Sequence, residues 1–142
     1  MIDMENNEVR HLFRLYWQVS RLLDRELSSL ELGHGRYLYL FGLYIRDGRK
    51  QQELADIIGI DKAAVTRALG RLEQTGYVRR APDGTDGRVT RVFLTARGRE
   101  LRPALEAAAA AAIDQLTAPL TASERDTLRA LLAKVATPII AG

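Results

Sequence analysis

The sequence runs to 142 residues, 46% of them apolar, with a formal net charge of +3 and no cysteine. That length fits one domain with helical extensions, and the apolar share supports a packed core. The lack of thiols excludes a disulfide scaffold, a thiolate metal site and a cysteine redox switch.

The charge is unevenly placed. Between residues 62 and 91, Lys62, Arg67, Arg71, Arg79, Arg80, Arg88 and Arg91 stand against Glu73, Asp83 and Asp86. The basic excess therefore sits in one window, which points to a local anionic partner. The start "MIDMENNEVR" lacks the charged opening and apolar stretch of a signal peptide, and the run from Ala107 to Ile113 falls far short of a membrane span. The expected location is the cytoplasm, with no membrane partner.

In chain order, Asn7 to about Leu30 reads as one long helix, because Val9, Leu12, Phe13, Tyr16, Val19, Leu23 and Leu27 recur at three- and four-residue steps. Leu15, Trp17 and Leu22 widen the stripe until it is apolar on two sides. Such a helix is either a central core helix or one shared between its own chain and a second copy. "LGHG" breaks the pattern. Tyr37 to Arg46 forms a second apolar helix, stopped by "RDG". Gln51 to Ile58 is a short helix, "GID" a tight turn, and Lys62 to Thr75 a helix closed by Gly76.

A hairpin follows within "VRRAPDGTDGRVTRVFLT", Val78 to Thr95. Thr95 then caps a helix predicted to run to about Leu116 with Pro103 inside it. A proline there loses a backbone bond and crowds Arg99, so a bend is expected. Ala107 to Ala112 has little side-chain bulk and lets another helix approach. "TASE", Thr121 to Glu124, is a capping box. It starts a last helix carrying Leu128, Leu131, Leu132 and Val135, which Pro138 ends.

The segment "QQELADIIGIDKAAVTRALGRLEQTGYV" has helix-turn-helix spacing. Ala55 is small where two helices cross, Gly59 can take the positive φ that ends the first, and Asp61 is a good N-cap for the second. Val65, Leu69 and Leu72, joined by Ala68, form its buried stripe. Ala63, Arg67, Gly70 and Gln74 fall on the opposite face, with Thr66 and Arg71 beside them. A solvated helix usually offers Glu–Lys pairs; this one alternates small residues with long donors. Arg and Gln each make paired bonds to base edges in the major groove, worth about 1–3 kcal/mol of discrimination. Gly70 inside a helix is destabilising by about 1 kcal/mol against alanine. It serves close approach to an outside partner or close packing on a neighbouring element.

In the hairpin, "YVRR" and "RVTRVFL" alternate apolar with basic, as half-buried strands do, and "PDGTDG" supplies turn residues. Arg79, Arg80, Arg88 and Arg91 are placed for phosphate contacts, and an arginine near the tip suits a narrow minor groove. Asp86, two residues before Arg88, either aims that guanidinium by charge-assisted hydrogen bonds or merely forms the turn. Asp83 is read as a turn former. Together the two elements give an expected DNA-contact set of Lys62, Ala63, Thr66, Arg67, Arg71, Gln74, Arg79, Asp86, Arg88 and Arg91.

A helix-turn-helix followed by a wing with Asp-x-Arg and then "LTARGREL" resembles the MarR family of bacterial transcription regulators. The parts that carry the likeness are "ELADIIGIDKAAVTRALGRLEQTGYVRR" and "DGRVTRVFLTARG". The resemblance implies a mainly α fold with a small β-wing. A winged helix-turn-helix over residues 34–99 would be flanked by dimerisation helices over 1–33 and 100–142. It implies a homodimer on a pseudo-palindromic duplex with half-sites about one helical turn apart. The helix from Lys62 would lie in the major groove and Arg88 in the minor groove. Family members commonly repress and leave DNA when a small, often aromatic, anion binds. Trp17, His34, Arg36, Tyr37 and Tyr39 are candidates to line such an effector site, against the reading that they are core and surface residues.

Other classes find little support. His11 and His34 are the only histidines and have no metal-ligand spacing, so no metal or cofactor is expected. No nucleophile–histidine pair or phosphate-cradling glycine loop suggests an enzyme. The alternative is a winged-helix module used for protein–protein interaction.

Overall fold

The computed structural model describes residues 1–58 and 61–136. Gly59 and Ile60 of the expected turn, and Pro138 as the last helix stop, lie outside the described residues. Helix α1 spans Glu8–Leu27; its N-cap Asn7 accepts from the Arg10 backbone at 2.9 Å. A single 3-10 turn, Ser28–Leu30, continues it and ends at Glu31 with a left-handed φ of 61°. Then follow α2 (Tyr37–Ile45), α3 (Gln51–Ile58) and α4 (Lys62–Gln74), strands β1 (Val78–Pro82) and β2 (Thr90–Leu94), and helices α5 (Ala96–Glu100), α6 (Arg102–Leu116) and α7 (Ala122–Val135).

The core lies where α2, α3, α4 and the hairpin converge. Leu40, Leu43, Leu54, Val65, Leu69, Leu72 and Val92 are all essentially sealed from solvent. Burying each such leucine fully contributes about 1.5–3 kcal/mol. Gly42 lets α3 close in on α2: a Cβ there would stand 3.0 Å from Leu54. Asp61 caps α4 by accepting from the Ala64 backbone at 2.8 Å. At the other end Gly76, φ +84°, turns the chain so that the Tyr77 amide donates to the Leu72 carbonyl at 2.9 Å. This is a left-handed helix stop that a side-chain-bearing residue would strain.

The two strands pair antiparallel in the register Val78↔Leu94 through Pro82↔Thr90. The segment before α3 adds to their edge, with the Val92 amide donating to Arg49 and a bridge between Lys50 and Arg91. Gly98 is required by packing, since a Cβ would fall 2.2 Å from the Tyr77 carbonyl oxygen.

The structure corrects one expectation. The helix after Thr95 is not continuous and bent; it breaks at Leu101 into α5 and α6, and Pro103 sits in the first turn of α6. In a first turn a proline's missing N–H has no helical acceptor to lose, so the break removes the conflict that a bend would only relieve.

Leu105, Ala108 and Ala112 of α6 pack against α1, where Leu23 and Leu27 are buried. The N-terminal part of α1 leaves Val9, Leu12, Phe13, Leu15, Tyr16 and Trp17 exposed. Helix α7 begins with the expected capping box and buries none of its residues. Among the described residues no helix is long and apolar enough to cross a membrane.

Candidate nucleic-acid interface

Helix α4 turns its apolar stripe inward, and this fixes what it shows outward. Lys62, Ala63, Thr66, Arg67, Arg71 and Gln74 are all exposed. The Lys62 and Arg67 side chains make no hydrogen bond or ion pair among the described residues, so both cations are open to a partner. Thr66 links α4 to α3: its hydroxyl donates to the Lys62 carbonyl at 2.9 Å and accepts from Gln51 Nε2 at 3.1 Å. Gly70 is not explained by internal crowding. The nearest atom to a Cβ there would be an Arg80 guanidinium nitrogen at 3.8 Å, ordinary contact distance. A side chain there would thus touch Arg80 at ordinary contact distance, and crowding within the chain does not require the glycine.

The wing stands beside this face. Arg88 is 93% exposed, and Asp86 holds it twice: Arg88 Nε donates to Oδ1 at 3.1 Å and Nη2 to Oδ2 at 3.4 Å. The Arg88 backbone also donates to Oδ1 at 3.1 Å. These bonds hold the Asp86 carboxyl below its ordinary range. The aspartate thus bonds both the side chain and the backbone of the arginine. Lys62, Thr66 and Arg88 line one cleft of about 400 Å³ with Gln51 and Gln52, so the tip of the wing and the start of α4 face a common space.

Besides Arg88, four further basic residues in this window have partners within the protein. Arg80 donates from Nε at 3.2 Å and Nη2 at 3.0 Å to Glu73 Oε1, while its backbone donates to Oε2 at 2.9 Å. Burial would raise Glu73, but these Arg80 bonds outweigh it and leave the carboxyl lowered. Arg79 lies over the Phe93 ring at 4.3 Å and stays exposed at its edge. Arg71 is ion-paired with Glu31 and also reaches Gln74 Oε1 at 3.5 Å. Arg91 is ion-paired with Asp83, and its Nη1 donates to the Gly48 carbonyl at 2.8 Å.

Arg80 and Arg91 are therefore drawn inward from the phosphate-contacting positions expected of them. Asp83 forms the turn as expected, its carboxylate accepting from the Thr85 hydroxyl at 2.7 Å and from the Thr85 and Asp86 amides, and its pairing with Arg91 comes in addition. Glu31, Glu73 and the Gly48 carbonyl escaped sequence reasoning because each meets its arginine across a turn or between distant elements, where no periodicity operates.

The expected effector residues do not assemble. Tyr37 and Tyr39 are core residues, 4% and 2% exposed, and burial pushes both hydroxyls up. Trp17 lies on the open face of α1, edge-on to Tyr16. His34 sits exposed in a left-handed turn, and Arg36 donates from Nε to the Glu31 carbonyl at 3.0 Å. The α2 helix is apolar almost all round, so its sequence does not reveal that its tyrosines point into the core. A different cleft, about 480 Å³ between α1 and α6, is lined by Gln18, Arg21, Leu22, Arg25, Gln115 and Leu116. Among the described residues no group of His, Asp and Glu is arranged to hold a metal ion.

Comparison with known proteins gives consistent matches. The model of the MarR family matches residues 32–89. An uncharacterised HTH-type transcriptional regulator of Bacillus subtilis (strain 168), YybA, is 30% identical over 128 residues, covering 87% of this chain and 85% of its own length. The crystal structure of a MarR transcriptional regulator from Methanosarcina mazei Go1 is 29% identical with a TM-score of 0.85, over 89% of this chain and 91% of that one. A mutant MarR from E. coli, solved in complex with operator DNA, is 31% identical with a TM-score of 0.77, over 89% and 91% of the two chains.

Proposed function

The chain belongs to the MarR family of HTH-type transcription regulators, and from that premise we propose that it is a homodimeric repressor whose α4 enters the major groove while the wing reaches the minor groove. The observation that carries this reading is the pairing of an open, small-residue α4 face with a fully extended Arg88 held by its own aspartate. Arg67 and Gln74 read base edges, Ala63 and Gly70 admit the groove wall, and Lys62, Thr66 and Arg79 meet phosphates, joined by Arg71 where Glu31 releases it. Residues 34–99 form the DNA-binding unit. Residues 1–33 and 100–142 form the dimerisation region, which accounts for apolar side chains as large as Phe13 and Trp17 lying 62% and 58% exposed.

Release follows binding of a small aromatic carboxylate. The α1/α6 cleft has the chemistry for it: Arg21 and Arg25 stand one helical turn apart, beside two glutamines and two leucines. Enzymatic activity has no place in this reading.

The test is salt dependence on duplex DNA. A protein neutralising about 6–10 phosphates loses roughly 10³–10⁵ in affinity between about 50 and 200 mM salt. A salt-insensitive or absent interaction would leave the protein-contact alternative standing. Added benzoate at fixed salt is expected to lower the affinity further, and no change with benzoate removes the effector from the scheme.

A further inference from the structure

Two charged residues of the wing have no part in the interface as described, yet they are the most thoroughly bonded on it. Asp83 is 9% exposed at its side chain although it lies at the start of a surface loop. Its Oδ1 takes the Arg91 Nε. Its Oδ2 takes the Thr85 hydroxyl at 2.7 Å, the Thr85 amide at 3.2 Å and the Asp86 amide at 3.1 Å. Arg91 in turn bonds the Gly48 carbonyl at 2.8 Å, and that anchor is itself fixed. Asp47 Oδ1 accepts from the Gly48 amide at 2.9 Å and from the Leu94 amide at 2.8 Å, and Phe93 closes over Gly48. The loop is thus tied at one end to the α2–α3 connection and at the other to the backbone of the residue that aims Arg88.

We propose that Asp83 and Arg91 are positioning residues for DNA binding: they clamp the wing loop to the α2–α3 connection so that Asp86 presents Arg88 at one fixed place. The inference rests on the reading of Arg88 as the wing's DNA contact. Arg91 itself touches no phosphate. Two of its nitrogens already have acceptors, and its charge is cancelled by the adjacent carboxylate, so the pair presents no net charge to a polyanion. A carboxylate beside DNA is repelled by it. Asp83 is tolerated there because the order it imposes on the loop outweighs that repulsion.

This gives a test in which charge and position predict opposite signs. Affinity for a fluorescein-labelled mixed-sequence duplex is measured by anisotropy across a salt series, with thermal melts run alongside. Asp83→Asn removes a negative charge, which by electrostatics alone tightens binding. The clamp predicts binding about three- to fivefold weaker, the scale of an exposed ion pair expressed as affinity. In an Arg88→Ala background the same substitution is expected to cause no further loss.

Arg91→Lys keeps the charge but cannot serve both acceptors. It is expected to weaken binding like Asp83→Asn without altering the salt slope, and it carries the test if Asp83→Asn melts too early. Tighter or unchanged binding by both Asp83→Asn and Arg91→Lys overturns the clamp, as does an equal loss with and without Arg88. An Arg91→Ala protein whose salt slope falls by about one makes Arg91 a phosphate contact and also overturns it. If Arg88→Ala alone leaves affinity intact, the reading of the wing falls and takes the clamp with it. A loss with Arg88→Ala but none with Asp83→Asn or Arg91→Lys sinks the clamp alone.

Discussion

The helix-turn-helix with its wing and the paired helices α1, α6 and α7 answer the same problem in opposite ways. In the first region Val65, Leu69 and Leu72 of α4's inner stripe are sealed, and several of the outward arginines are braced: Arg80 by Glu73, Arg88 by Asp86, Arg91 by Asp83. In the second, Val9, Leu12, Phe13 and Tyr16 line an apolar groove that no described residue covers, and Ile113, Leu128 and Leu132 line another. The first region seals its core within one chain. The second leaves apolar surface open, and on the homodimer reading a second copy covers it, since a large exposed apolar patch commonly marks a protein–protein contact.

The sharpest way to break that contrast is to charge the unfinished face. Phe13→Asp places a carboxylate where the homodimer reading requires an apolar contact, and an unpaired charge buried in an interface is severely destabilising. Sedimentation is expected to show monomer in place of dimer, while the melting of the helix-turn-helix core changes little. An unchanged dimer would show that the exposed stripe of α1 is not the association surface.

Much of this contrast is legible in the sequence, and its physical basis explains both the successes and the gaps. Local chemistry reads directly. The α3 limits, the Asp61, Thr95 and Thr121 caps and the left-handed stop at Gly76 depend on residues within a turn of one another. So does the bonding of Asp86 to Arg88, two positions away. The apolar excess of α1 was visible because its stripe is too wide for one partner. What stayed hidden is tertiary. Glu31 meets Arg71 forty residues on, and Arg91 reaches back to Gly48, so four arginines that look alike along the chain differ in what they are free to do. Pro103 marks a disturbance of the helix but not its kind, because a helix interruption and a bend leave the same mark in sequence.

A second prediction sharpens the polar half by separating its open cations from its committed ones. Arg67 has no partner among the described residues, so Arg67→Ala leaves none of them unpaired, and its effect is read in the complex. The expectation is a loss of about 1–3 kcal/mol confined to particular base pairs. Selection from random duplexes would show relaxed preference at those positions. A uniform loss over all sequences would make Arg67 a phosphate contact and leave Gln74 to carry base reading on α4.

The smallest effect is expected where the two regions meet. Glu31, in the left-handed turn after α1, holds Arg71 of α4 across an exposed surface, with both side chains about half exposed. An ion pair of that exposure contributes about 0–1 kcal/mol, so removing it leaves stability nearly unchanged. Its consequence lies in availability: while Glu31 holds it, Arg71 is neutralised and less available to a phosphate. Glu31→Gln is therefore expected to leave the melting temperature in place and to tighten duplex binding by a few-fold at low salt. The salt slope should steepen by up to about one phosphate, the signature of one more cation released to the backbone. Weaker binding with an unchanged slope would show the opposite arrangement, in which Glu31 presents Arg71 to DNA as Asp86 presents Arg88, and the brace would then extend from the wing to the recognition helix itself.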